Sequence, residues 1–446
     1  MQNRVFRRLG IYLAGLLALT ACHSKSGRTA DASPDGMGEE YAPIEVKYAR
    51  NFELDDSNPD MRLLTIRNAE GKHAAEYRYA LLRQGVDESQ VPEDYEVVRI
   101  PVDRFICMTS LQLSNFIALD LTDHVVGITS TRHLFNEALN EQLRNGRTVQ
   151  IGIEGEFDNE LVLAADPQLI LVSPSKRGGF DVLKESGMPI MPHLGYQEPD
   201  PLGQAEWVKL IGVLTGHEAE ATVYFDLVEQ QYNELKEKIK TSQPLHFETS
   251  QKLGGENTDV DAGNKTPQPL HFETSQKLGG ENTDVDAGKS SDPHEKCLPL
   301  QGDGGSVSIF SGDMKGGAWY ATGGRSFLAS IFRDAGADYV LKDNEDTGGV
   351  NMDFEAIYAL AADVDYWRIS NSFDGEFSYD VLAQQDSRFR DFKAFRDRHV
   401  IYCNMSRTPF YESFPVHPEL VLADFVKIFY PDLLPDYQPT YYKLLK

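Results

Sequence analysis

Asn159-Glu160-Leu161-Val162-Leu163-Ala164-Ala165-Asp166-Pro167 runs into Leu169-Ile170-Leu171-Val172. Far down the chain, Asp353-Phe354-Glu355-Ala356-Ile357-Tyr358-Ala359-Leu360-Ala361-Ala362-Asp363 runs into Tyr366-Trp367-Arg368-Ile369. Each copy reads as a glutamate opening a short apolar helix, then an acidic turn, then a strand. Two matched units predict two similar lobes. A cleft between the lobes follows, with one glutamate displayed on each.

The rest of the chain is built in the same grammar. Phe105-Ile106-Cys107-Met108 reads as a strand, Leu111–Leu119 as a helix and Val125-Val126-Gly127-Ile128 as a strand. Helix Leu134–Leu143 and strand Val149–Ile153 precede the first glutamate unit. Strands alternating with helices imply βα units and a largely parallel sheet. The pattern resumes at Val307-Ser308-Ile309-Phe310, followed by the Gly-rich stretch Gly316–Ser326, helix Phe327–Ala335 and strand Tyr339-Val340-Leu341. After the second unit come helix Tyr379–Gln385, strand Val400-Ile401-Tyr402 and helix Glu419–Phe429. Residues 43–102 alternate in polarity instead, which predicts antiparallel strands and turns.

Between the two halves, Asp200 and Pro201 provide an N-cap and a first helical residue. That helix stops at Gly216. Thr215 and Glu218 have capping-box spacing for a second helix, with an apolar stripe at Tyr224, Leu227, Val228, Leu235 and Ile239. From His217 to Ile239 this helix spans roughly 35 Å, enough to bridge two lobes. The stretch Gln243–Gly263 then recurs unchanged as Gln268–Gly288. Two copies with few apolar residues do not make a solenoid. The segment 242–304 reads as a disordered loop that carries a duplication.

Length and charge narrow the function. A chain of 446 residues, 41% hydrophobic, accommodates two domains with extensions. A net charge of −26 argues against nucleic acid as the partner, because phosphates require a basic face. There is no Gly-x-Ser-x-Gly elbow and no His-Glu-x-x-His, and no catalytic or metal-ligand spacing appears. The chain reads as a binding protein, not an enzyme, with no metal site or cofactor of its own. Cys107 and Cys403 sit in apolar strands and read as buried free thiols. Cys297 lies in a polar loop.

Arg4, Arg7 and Arg8 precede an apolar run, Leu9–Ala21, that is shorter than the roughly 20 residues needed to span a bilayer. This is the pattern of a secretory signal. Its end, Leu19-Thr20-Ala21-Cys22, resembles the lipobox of bacterial lipoproteins. The resemblance implies cleavage before Cys22 and a lipid anchor (palmitate) on that cysteine, on the periplasmic side of a bacterial membrane. The organisation expected is signal peptide 1–21, tether 22–42, N-terminal lobe 43–201, linking helices 202–241, repeat loop 242–304 and C-terminal lobe 305–446.

Several strings together resemble the periplasmic binding proteins of ABC importers for iron–siderophore complexes, haem and cobalamin, in their Bacteroidetes-type lipoprotein form. They are Val125-Val126-Gly127-Ile128-Thr129-Ser130, Asn159-Glu160 with Asp166-Pro167, Asp200–Trp207, Gly323-Gly324-Arg325-Ser326 with Asp334-Ala335-Gly336, and Pro418–Asp424. The resemblance covers most of 43–241 and 305–446. It implies an α/β protein of two Rossmann-like βα lobes joined by a long rigid bridging helix, the class III periplasmic binding protein. It also implies an ABC permease as partner, docked by Glu160 and Glu355, and a monomeric protein. The implied cargo is an iron complex, either ferric siderophore or haem. The alternatives are cobalamin, or a tetrapyrrole-handling lipoprotein that works without a permease.

In open α/β sheets ligands sit beyond the carboxyl ends of the strands. The loops there carry Arg132, His133, Lys176, Arg177, Trp319, Tyr320, Arg325, Arg407 and Tyr411, which form the expected ligand-binding set. Bases and aromatics gathered at one cleft of an acidic protein suit an anionic, partly aromatic ligand. If the ligand is haem, His133 and Tyr320 are the candidate axial ligands, ahead of His193 and Tyr196.

Overall fold

Strands β1 (Phe52–Asp55), β2 (Met61–Asn68), β3 (Ala75–Arg83) and β4 (Glu96–Ile100) form the first sheet. β1, β2 and β3 pair antiparallel, whereas β4 pairs parallel to β3 after the chain crosses back. This departs from the wholly antiparallel expectation. The reason is the connection over residues 84–95, which returns the chain to the start of the sheet, as parallel pairing requires. The computed structural model describes residues 43–68, 74–153, 156–174, 183, 187–242 and 307–446. Cys22, Lys176, Arg177, Cys297 and the repeats lie outside these.

The first lobe continues with β5 (Phe105–Cys107), α1 (Ser110–Ala118), β6 (Val125–Ile128), α2 (Glu137–Asn145), β7 (Val149–Gln150), the strand pair β8 (Gly152–Ile153) and β9 (Glu156–Phe157), α3 (Asn159–Ala164), β10 (Leu169–Val172) and β11 (Ile190–Pro192). The main sheet has the order β11-β10-β5-β6-β7, and every pair in it is parallel. Strand side chains alternate between faces. Accordingly Phe105, Cys107, Leu169 and Leu171 enter one core, and Ile106, Ile170 and Val172 enter the opposite one. Both faces are covered, so these strands are apolar throughout.

Helix α4 (Pro201–Thr215) is buried along its whole length. Asp200 caps it, accepting from Leu202 N at 2.8 Å and Gly203 N at 3.3 Å, and Gly216 (φ 76°) ends it. Thr215 is still helical, and its hydroxyl donates back to Ile211 O at 2.7 Å. The expected capping box with Glu218 therefore does not form. Trp207, Leu210, Ile211 and Leu214 pack into the first lobe, and Leu202, Ala205 and Val208 into the second. The N-terminal segment is fastened to α4 by two buried carboxylates. Glu206 accepts from the backbone N–H of Lys47, Tyr48 and Ala49 at 2.7–2.9 Å and from Lys209 Nζ at 2.9 Å. Glu198 accepts from Asn51 N and Trp207 Nε1.

Helix α5 (Glu218–Ser242) has 25 residues and extends roughly 37 Å. Its first turn meets the first sheet, where Glu218 pairs with the buried Arg62 at 2.5 Å. Further along it meets the second lobe, where Tyr232 donates to Asp334 at 2.8 Å. The buried stripe is Ala221, Phe225, Val228, Tyr232 and Ile239, and Leu227 is exposed. Of the stripe read from sequence, Val228 and Ile239 are buried and Tyr224 and Leu235 pack against the second-lobe core, whereas Leu227 is exposed; Phe225 and Tyr232, absent from that stripe, complete the buried face.

The second lobe comprises β12 (Val307–Ser311), β13 (Asp313–Lys315), β14 (Ala318–Thr322), α6 (Phe327–Asp334), β15 (Ala337–Tyr339), β16 (Gly349–Met352), α7 (Phe354–Ala361), β17 (Tyr366–Asn371), α8 (Tyr379–Gln385), α9 (Lys393–Arg396), β18 (Val400–Asn404), α10 (Pro418–Phe429) and β19 (Lys443–Leu444). Its main sheet runs β15-β12-β17-β18-β19, parallel except for the β19 edge. The Gly-rich stretch is not a simple loop. It turns from β13 into β14, which pairs with β13 on one side and β16 on the other as a small antiparallel sheet. Trp319 on β14 lies against Phe310 and Trp367, with ring centroids 6.1 and 5.5 Å away.

Candidate ligand cleft and docking surface

The two lobes enclose a cavity of ≈ 320 Å³. Leu111 at the start of α1, Tyr196 and Gln204 of α4 line it from the first lobe and its linking helix. Tyr320, Arg368, Phe410, Tyr411 and Phe414 line it from the second, with Asp313 and Lys315 of β13. Aromatic side chains make up one part of its wall, and polar or charged groups, including Gln204, Asp313, Lys315, Arg368 and Ser370, make up another. A further hollow of ≈ 430 Å³, lined by Tyr77, Tyr79 and Glu96, lies between the first sheet and β10–β11. It is within one lobe and away from the facing loops.

Local structure places each group. Tyr320 sits on β14 beside Gly349 of β16, where a side chain on Gly349 would run into the phenol. Lys315 Nζ lies 5.1 Å above the Tyr320 ring. Tyr411 belongs to the segment after β18, in which Phe410 and Phe414 stack at 4.5 Å between centroids. Burial pushes the Tyr411 phenol and the Asp313 carboxyl up from their ordinary values.

Arg368 is the charged residue buried in this wall, and the loop-based reading missed it. It lies inside β17, where Trp367 points to one core and Arg368, by alternation, to the opposite face. Nη2 donates to Tyr442 Oη at 2.6 Å and to Ser370 Oγ at 2.9 Å, and the guanidinium lies 5.2 Å over the Tyr442 ring. Nε has no hydrogen-bond partner, and among the described residues no carboxylate pairs with Arg368. The Gln204 amide oxygen is likewise buried and unpartnered. The signal was present in the sequence as one arginine inside the apolar run Tyr366–Ile369.

Of the expected ligand-binding residues, the cavity brings together Tyr320 and Tyr411. Trp319 is corrected. It is fully buried, its Nε1 donates to Ser311 O at 3.0 Å, and it belongs to the core because strand alternation turns it away from Tyr320. Arg325 does not line the cavity and pairs on the surface with Glu345 at 2.8 Å. Arg407 donates to Asp374 O at 3.0 Å and is spent on its own lobe. Arg132 is exposed and does not line the cavity. His133, in a left-handed conformation (φ 64°), meets Ser372 Oγ of the other lobe at 3.4 Å and stands beside the cavity, not in its lining. Burial lowers its pKa, assisted by Arg132. His193 is buried against Trp207 and bonded to Asn115, and burial pushes it down to about 3. Among the described residues no three His, Cys, Asp or Glu gather to hold a metal ion.

Glu160 and Glu355 occupy equivalent places in the first turns of α3 and α7, behind the N-caps Asp158 and Asp353. Both are exposed. Glu160 has no ion pair among the described residues, whereas Glu355 is 3.3 Å from Arg388. Exposed apolar residues accompany them, Leu163 three positions after Glu160 and Tyr358 three after Glu355. Cys107 and Cys403 are buried free thiols, and burial pushes Cys403 up to about 12.

Two parallel βα sheets, a long helix touching both lobes and a cavity between the lobes define the architecture. Residues 106–252 match the model of the family described as periplasmic binding protein. The chain has the class III periplasmic binding protein fold. A periplasmic binding protein from Veillonella parvula superposes with a TM-score of 0.52 at 11% identity, covering 82% of this chain and 98% of that one. A periplasmic heme binding protein from Pseudomonas aeruginosa also gives 0.52, at 16% identity, covering 77% and 98%. An uncharacterized lipoprotein of Methanocaldococcus jannaschii is 27% identical over 151 residues, which are 32% of this chain. This chain spans 36% of the length of that relative. No helix among the described residues is long and apolar enough to cross a membrane.

Proposed function

We propose that this protein is anchored by lipid on Cys22, captures an iron complex between its lobes and delivers it to an ABC permease that meets Glu160 and Glu355. The supporting observation is the interlobe cavity, which has an aromatic wall and a buried, carboxylate-free Arg368 in a chain of net charge −26. That contrast favours an anionic cargo with a flat aromatic part, such as a ferric siderophore or haem. At ≈ 320 Å³ the cavity is at the small end of ligand pockets and accommodates one planar group of such a cargo, the remainder lying in the cleft mouth.

The test is absorbance and native mass spectrometry of the protein isolated from its own cells. A bound ferric complex or a Soret band supports the proposal. Tight binding of cobalamin alone overturns it in favour of that cargo.

A further inference from the structure

The sequence placed the cleft's positive charge on loop arginines. The structure disperses those that it describes and puts one guanidinium inside the wall. Arg368 is 8% exposed and Gln204 is 5% exposed, and both line the interlobe cavity. A buried cation without a counter-charge is costly, as is a buried amide oxygen without a donor. Proteins resolve such groups with partners. Ser370 and Tyr442 satisfy Nη2 only, and both are neutral. The carboxyl lining the same cavity, Asp313, is not within ion-pair distance of Arg368, and its Coulombic neighbour is Lys315.

We infer that Arg368 and Gln204 form a two-point polar subsite for a hydroxy-acid type group of the ligand, with Arg368 taking an anionic oxygen and Gln204 accepting from an adjacent hydroxyl or amide. Tyr320, Tyr411 and Phe410 then enclose the planar body that carries this group. A guanidinium holds carboxylate or catecholate oxygens in a fixed fork, so the subsite selects for charge and for planarity together. This rests on the capture proposal for the cavity, but it makes a separate claim, that anionic ligands are distinguished from neutral ones at one residue.

The experiment titrates the purified full-length protein with three probes: a net-anionic ferric tris-catecholate complex, a charge-neutral ferric trihydroxamate complex and iron-free salicylate, the last followed by ligand-observed NMR. Wild type is compared with Arg368→Gln, Arg368→Lys and Tyr442→Phe. The expected result is that Arg368→Gln weakens the anionic probes roughly tenfold to a hundredfold, the size of a charged hydrogen bond, and leaves the neutral complex within about twofold. Arg368→Lys recovers part of the loss, and Tyr442→Phe, which removes only a support, leaves the discrimination in place. A folding fault weakens all probes alike, and that outcome for Arg368→Gln and Arg368→Lys overturns the inference. So does equal binding of the anionic probes by wild type and Arg368→Gln, with iron capture itself left standing. If wild type holds salicylate through Arg368 but neither ferric complex, the subsite stands and the iron cargo falls. If wild type binds none of the three, both fall.

Discussion

Glu412 of the second lobe reaches across to the first, where both of its carboxylate oxygens lie 3.1 Å from the backbone N–H of Phe135. Glu412 is buried, and the part-buried contact stands at the entry to α2, two residues beyond the His133–Ser372 contact. The same segment contributes Phe410, Tyr411 and Phe414 to the cavity. One face of it thus touches the ligand space and the other fastens the lobes.

Burial raises the Glu412 carboxyl from 4.5 to about 7, opposed only in part by the Phe135 and Asn136 N–H groups. The folded protein therefore binds a proton more tightly than the unfolded chain, in which Glu412 meets water. Below pH 4.5 both states are protonated and the contribution is complete. It is lost as pH rises through about 7. Denaturant unfolding across pH 4.5–7.5 should show the wild type losing roughly 2 kcal/mol more than Glu412→Gln over that window. Parallel profiles for the two proteins would count against this role.

Trp319 and Tyr411 separate core from cleft. Trp319→Ala should cost about 3–5 kcal/mol of stability, since the ring is fully enclosed by Phe310, Trp367 and their neighbours. Tyr411→Ala should change the melting temperature little and weaken ligand binding about tenfold or more. Calorimetry and titration on the same samples check both.

Asp424 holds the C-terminal segment. Its carboxylate accepts from Tyr441 N at 2.6 Å, Thr440 N at 2.7 Å, Tyr437 Oη at 2.8 Å and Tyr442 N at 2.9 Å. Asp424→Ala leaves these buried donors unmet and should destabilise by roughly 3 kcal/mol. Because Tyr442 supports Arg368, ligand affinity should fall as well. Thermal melts and ligand titration of the variant measure the two effects.

Glu160→Arg with Glu355→Arg should abolish uptake while ligand binding in solution stays intact. The single variants should differ, with Glu160→Arg the more damaging, because Glu355 is already partly neutralised by Arg388. Charge at such exposed positions sets orientation and encounter more than affinity. Cellular uptake assays beside solution titrations distinguish docking from binding, and normal uptake by the double variant would exclude the role.

Much of the fold was legible because it rests on local periodicity. The βα alternation, the Asp200 cap, the stop at Gly216 and the long helix after it follow from spacing that neighbouring residues enforce among themselves. The edge of the α5 stripe was not legible, because whether Leu227 or Tyr232 is covered depends on the second lobe packed against the helix. The Gly-rich stretch misled for a related reason. Its pairing with β16 joins residues distant in sequence, and that pairing buries Trp319 while leaving Tyr320 at the cavity.

By itself the sequence determined the two-lobed plan, the paired glutamates and the acidic character of the chain, since each is written in short-range pattern or composition. Only the tertiary structure decided which positive charge belongs to the cleft. The described loop arginines found partners on their own lobe or in solvent. Arg368, which read as an ordinary strand residue, was carried to the cavity by the register of β17 between β12 and β18. A side chain's exposure and its counter-charges are set by elements far apart in the chain, and neither appears in any single stretch of sequence.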